Sequence, residues 1–279
     1  MNNSIHPCLW FGGNAKEAAT FYCSIFKNST ITTDTPMVVQ FEIEGTKLMG
    51  LNGGPMFKIT PAISLFVTCQ TDEEIEKVYS QLFDGGSALM PLGEYPWSKK
   101  YGWVVDKFGM TWQLMLGSLP EGSQKVFPSL LFTGEQYGKA QEAMKLYTSL
   151  FPNSAIYHTE LYQAGEEQSE GNVKFGHFAL NTNMFAAMDG PGDHNFKFNE
   201  GVSLMVECET QEQIDHYWNT LTLGGEESRC GWLKDKFGVS WQIVPKALET
   251  LMKQPGRAQK VMAELLKMKK LDIQTLMDA

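Results

Sequence analysis

The chain has 279 residues, a formal net charge of −9 and 43% apolar residues. That length suits two domains of ordinary size, each with a real core. The acidic balance speaks against nucleic acid or an anionic membrane surface as partner, and no apolar run approaches the roughly 20 residues of a spanning helix.

Residues 1–13 carry no basic stretch ahead of an apolar core, so they do not read as a secretory signal. Residues 9–11 predict a short apolar strand. Asn14 and Glu17 have the Asn-x-x-Glu spacing of a helix start, in which each side chain satisfies an orphan amide. Ala18, Ala19, Tyr22, Ile25 and Phe26 then recur at helical spacing. Three strands follow: around Thr30, over 38–43 and over 47–51, the last two joined by a Glu44-Gly45 turn. The pattern begins again with a strand over 63–67. Thr71 and Glu74 start a second helix whose inner face is Ile75, Val78, Tyr79 and Leu82, and Gly85-Gly86 ends it. Strands are expected near Ala88, over 103–105 and over 111–116. A Pro/aromatic loop around Pro91, Tyr95, Pro96 and Trp97 separates the first two.

The second half repeats the first. Leu51-Asn52-Gly53 returns as Met188-Asp189-Gly190, and Ile63-Ser64-Leu65 as Val202-Ser203-Leu204. Asp106-Lys107-Phe108-Gly109-Met110-Thr111-Trp112-Gln113-Leu114 returns as Asp235-Lys236-Phe237-Gly238-Val239-Ser240-Trp241-Gln242-Ile243. The Asp and Gly predict a turn, and the alternation after it sends Trp and Gln to opposite faces of a strand. The copies differ in their loops. The second lacks ten residues between its Gly-Gly pair and Asp235, and instead carries an insertion at 134–138 and an acidic loop at 166–170. From Pro245 onward the spacing is helical, with an interruption at Pro255-Gly256 and a last turn capped by Asp272. The expected divisions are 1–120, 126–245 and a helical tail, 246–279. The order strand, helix, three strands, met four times, predicts an α+β fold with helices on one face of each sheet. The five cysteines, Cys8, Cys23, Cys69, Cys208 and Cys230, are scattered and read as free thiols of a reducing cytoplasm. Arg229 beside Cys230 would lower that thiol's pKa.

The opening Leu9 to Tyr22 (Leu-Trp-Phe-x-Gly-Asn-Ala-x-x-Ala-x-x-Phe-Tyr) and the repeated Asp-Lys-Phe-Gly-x-x-Trp-Gln resemble the PhnB-like branch of the vicinal oxygen chelate superfamily, which includes glyoxalase I, extradiol dioxygenases and bleomycin-resistance proteins. The resemblance implies tandem glyoxalase/bleomycin-resistance/dioxygenase-like domains, four βαβββ modules whose antiparallel sheets curl into cups. It also implies an intrachain pseudo-dimer, with further homodimerisation left open. Metal-binding members place a Glu on the final strand, where this chain has Gln113 and Gln242. A further ligand place falls on Gln40 and His177, and the remaining ones fall on Pro7, Ser64, Ser129 and Ser203. Neutral amides and hydroxyls make poor ligands without carboxylate or imidazole company. No cofactor is therefore expected; His177 with Gln242 comes nearest to a divalent-metal pair. The residues expected to line a cup are Gln40, Gln113, His177, Gln242, Trp10, Trp103 and Trp232, an aromatic set that suits a flat or apolar small molecule. A metal-dependent lyase, isomerase or dioxygenase and a drug- or metabolite-sequestering protein stay open as alternatives. So does the 3-demethylubiquinone-9 3-methyltransferase with which this branch is labelled, although no Gly-x-Gly-x-Gly loop joins a strand to a helix.

Overall fold

The computed structural model describes residues 5–166 and 170–279; part of the acidic loop expected at 166–170 lies outside them. The first module is β1 (Ile5–Phe11), α1 (Ala15–Ile25), β2 (Ser29–Asp34), β3 (Val38–Ile43) and β4 (Thr46–Asn52). The second is β5 (Ile63–Cys69), α2 (Asp72–Phe83), β6 (Ser87–Tyr95), β7 (Ser98–Val105) and β8 (Thr111–Leu116). The third is β9 (Val126–Phe132), α3 (Ala140–Leu150), β10 (Ala155–Leu161), β11 (Val173–Leu180) and β12 (Asn183–Asp189), with a 3-10 turn at Gly134–Gln136 ahead of α3. The fourth is β13 (Val202–Cys208), α4 (Gln211–Leu221), β14 (Glu226–Glu227), β15 (Trp232–Lys234) and β16 (Ser240–Pro245). The tail forms α5 (Ala247–Met252), α6 (Ala258–Leu265) and α7 (Ile273–Asp278).

Two compact units result. One is Pro7–Val202; the other takes Ser203–Ala279 with Ile5 and His6. In the larger unit, eight strands form one sheet in the order β10-β11-β12-β9-β5-β8-β7-β6. Its halves meet where β5 and β9 run antiparallel, with Ser64 opposite Ser129 and Phe66 opposite Phe127. The sheet is thus half second module and half third, one half from each sequence repeat. Within a module the neighbouring later strands pair antiparallel, while the helical crossover sets the first strand parallel to the last, as in β5 with β8 and β9 with β12.

Local chemistry explains the elements. Thr71 Oγ1 accepts from the Glu74 amide at 3.2 Å and Glu74 Oε2 accepts from the Gln70 amide at 2.7 Å, a full capping box on α2. On α1 the expected Asn14 side-chain cap does not form. Asn52, from the end of β4, supplies it instead: its Oδ1 accepts from the Ala15 amide at 3.0 Å. Asp189, its counterpart at the end of β12, accepts from the Gly138 and Ala140 amides at the start of α3. The recurring Asn/Asp-Gly is therefore a strand-borne helix cap, a role that local spacing could not reveal.

The Gly-Gly pairs are turns with no room for side chains. Gly85 has φ +74°, and a Cβ on Gly86 would come within 2.1 Å of the Val105 carbonyl; Gly224 and Gly225 repeat this against Lys234. The Pro/aromatic stretch expected as a loop is instead the outer part of a long β6–β7 hairpin, interrupted by register shifts between Ala88 and Tyr95. In the smaller unit the tail packs on α4. The Gln211 side chain donates to the Leu271 carbonyl and accepts from the Ile273 amide, and Asp272 caps α7 as expected. Among the described residues no helix is long and apolar enough to cross a membrane.

Candidate functional site

The repeated Asp turn sets the site. Asp106 Oδ1 accepts from the Phe108 and Met110 amides at 2.8 and 3.1 Å, and Oδ2 accepts from Trp112 Nε1 at 2.8 Å. Asp235 makes the same three bonds to Phe237, Val239 and Trp241. One carboxylate therefore closes the turn and pins the Trp that follows it. Burial raises the Asp106 pKa and its hydrogen bonds oppose that rise. Trp112 is buried against Tyr22 of α1 and Phe26 just after it, with ring centroids 5.1 and 5.5 Å away. With Trp112 fixed on the helix side, the pleat turns Thr111 and Gln113 to the opposite face.

That face, away from α2 and α3, has a polar floor under an aromatic rim. Ser64, Thr111, Gln113 and Ser129 are all buried, none above 2% exposed. Thr111 Oγ1 and Trp103 Nε1 meet Ser64 Oγ at 2.9 and 3.2 Å. The Tyr101 hydroxyl donates to Gln113 Oε1 at 2.8 Å, and Gln113 Nε2 reaches Ser129 Oγ at 3.5 Å. Phe66, Tyr101, Phe127 and Ala186 pack over this floor, with the half-buried Met90, Tyr95, Trp103, Met115, Phe175 and Met184 around them. Phe66 and Phe127 stack at 5.2 Å.

His177 stands on β11 against Phe127 and Phe175, centroids 5.1 and 5.3 Å away. Its Nε2 is buried with no hydrogen-bond partner. Burial first, and then the neighbouring His158, hold its pKa below the ordinary 6.5. The folded state thus favours neutral imidazole, so this group's stability contribution is lost as pH falls from 6.5 toward the depressed value. Chemical denaturation between about pH 7.5 and 5 should show that loss, and His177→Gln should remove its share of the slope.

The expected site residues do not form one cluster. Gln113, Trp103 and His177 share the face just described. Gln40 lies on β3 opposite Met49, 3.4 Å from Thr33 Oγ1. Trp10 donates its indole N–H to the Gly54 carbonyl at 2.7 Å and packs edge-on to Phe57, so it clamps the loop after β4. In the smaller unit, Gln242 Nε2 donates to Ser203 Oγ at 2.8 Å, and Trp232 is its register partner on β15. Tyr101 and Thr111 join the floor without having been singled out; each alternates with a residue that was, Trp103 and Gln113, and that is the signal to follow. The Cys230 thiol departs from expectation: burial pushes its pKa up and outweighs Arg229.

The donor set argues against a metal of the kind the fold family implies. Among the described residues no group of three or more His, Cys, Asp or Glu could hold an ion. The floor offers hydroxyls and an amide, with His177 beside it and only the exposed His158 opposite that residue, too few charged or soft donors for a divalent site.

The family described as 3-demethylubiquinone-9 3-methyltransferase matches over residues 3–115 and again over 124–244. A PhnB protein from Bacillus cereus is 40% identical over 40% of this chain and 98% of its own, with a TM-score of 0.38. PA1353 from Pseudomonas aeruginosa is 25% identical over 39% of this chain and 93% of its own, TM-score 0.35. Glyoxalase I from Zea mays shares the fold at 11% identity, covering 91% of this chain and 98% of its own with a TM-score of 0.59. No curated protein matches the chain. The chain belongs to the PhnB-like family described as 3-demethylubiquinone-9 3-methyltransferase and carries that domain twice.

Proposed function

We propose that the protein binds a small, largely apolar molecule in a cup formed by the open face of β5–β8 and β9–β12, through neutral hydrogen bonds and without a metal ion. The observation that carries this reading is the floor itself. Ser64 with Thr111 and Gln113 with Ser129 form two hydrogen-bonded, buried and uncharged pairs beneath Phe66, Phe127 and Tyr101, with the half-buried Tyr95, Trp103 and Phe175 around them. A few oriented polar groups under an apolar wall are the usual make-up of a small-molecule site. The reading favours binding over acid–base or Lewis-acid chemistry, since the floor has no ionised group to move a proton or hold a cation. The two repeats act here as an internal pair, each giving half of the sheet, in a domain division at 1–120 and 126–245. The five cysteines form no disulfide, which suits a reducing cytoplasm.

Calorimetric titration of the purified chain with zinc, nickel and manganese tests the metal-free reading. No stoichiometric binding is expected beyond weak adsorption to exposed histidines. Tight binding of one ion per chain, lost in His177→Ala, would overturn it in favour of a metal-dependent enzyme.

A further inference from the structure

The β6–β7 hairpin distinguishes the two repeats. In the larger unit it spans Ser87–Tyr95 and Ser98–Val105, whereas its counterpart in the fourth module is only Glu226–Glu227 and Trp232–Lys234. The added length carries Tyr95 and Trp97. Their rings stack at 5.2 Å and 23°, and both stand edge-on to Tyr101, at 5.8 and 5.9 Å. The exposure of this row rises outward: Tyr101 is 6% exposed, Tyr95 is half-buried and Trp97 is 51% exposed. At its inner end the Tyr101 hydroxyl holds Gln113. A core needs no large ring half in water, and a turn needs no stacked pair.

We infer that the Tyr95–Trp97 pair is a recognition platform for a planar, uncharged ring system, which lies against it with its polar edge toward the Tyr101 hydroxyl that Gln113 holds. This rests on the cup reading above and adds the ligand class. Stacking favours a flat π-face over a puckered ring of equal size. The buried floor has no charge to compensate an ionic head group, which would lose hydration without return. The cation that alternation sets on this side of β7, Lys99, is exposed beyond Tyr101 at the outer end.

The test is a matched pair of neutral probes, 2-naphthol and 2-decalol, which share a fused two-ring frame and one hydroxyl. Their affinities are measured by calorimetry on the full chain and on Trp97→Ala and Trp97→Phe. Wild type should prefer 2-naphthol by about three- to tenfold. Trp97→Ala should abolish the preference and Trp97→Phe should restore most of it. Because Trp97 is half exposed, the fold should survive, which unchanged thermal unfolding verifies. Equal affinities in wild type, or a preference untouched in Trp97→Ala, would overturn the platform while leaving the cup intact. No binding of either probe that Gln113→Leu can diminish would overturn both.

Discussion

Asp106→Ala is expected to lower folding stability by roughly 3–5 kcal/mol, the largest effect of any single side chain considered. The substitution strips the partner from the half-buried Phe108 amide and from the buried Met110 amide and Trp112 indole N–H. Each buried donor left unsatisfied costs about 1–3 kcal/mol, and the relief of no longer burying a carboxylate offsets part of the total. The damage spreads beyond the turn, because Trp112 is the surface on which Tyr22 of α1 and the following Phe26 rest. Asp106→Asn keeps one acceptor oxygen but turns an amide N–H toward the indole N–H, so it should fall between Ala and wild type. Equilibrium denaturation reads the differences; a loss below about 1 kcal/mol for Ala would mean that the turn holds without its carboxylate.

Gln113→Leu should separate binding from folding. Leu nearly preserves the volume, so the strand should persist. The cost in stability is about 1–3 kcal/mol, because the buried Tyr101 hydroxyl loses its acceptor. Affinity for 2-naphthol should fall by about tenfold or more, since a site built to hydrogen-bond a polar edge discriminates strongly when that partner goes. Gln242→Leu, in the smaller unit and without a long aromatic hairpin beside it, should leave this affinity unchanged. Equal losses in the two variants would place the ligand elsewhere.

Much of the fold could be read directly. Four rounds of strand, helix and three strands show in the alternation, in the Thr71-x-x-Glu74 start and in the Gly-Gly stops after α2 and α4, all of which are local signals. What local signals could not carry was long-range pairing. Nothing near Ser64 or Ser129 says that they sit opposite each other, because β5 meets β9 across an intervening helix and hairpin. The outer β6–β7 hairpin was missed because Pro91, Gly93 and repeated register shifts break its alternation, so an extended strand pair reads as a loop. Of the candidate site, part was legible. Gln113 and His177 followed from resemblance, but Gln40 and Trp10 lie with the first module's own contacts. Tyr101, the link between hairpin and floor, needed the hydrogen bond to reveal it.

The central claim is that this face holds an uncharged small molecule with no metal, and native mass spectrometry of the full chain with 2-naphthol tests it most directly. A single adduct of the probe's mass is expected on a chain that carries no metal, diminished in Gln113→Leu and retained in Gln242→Leu. An adduct that forms only after a divalent ion has bound, or one unaffected by Gln113→Leu, would contradict it.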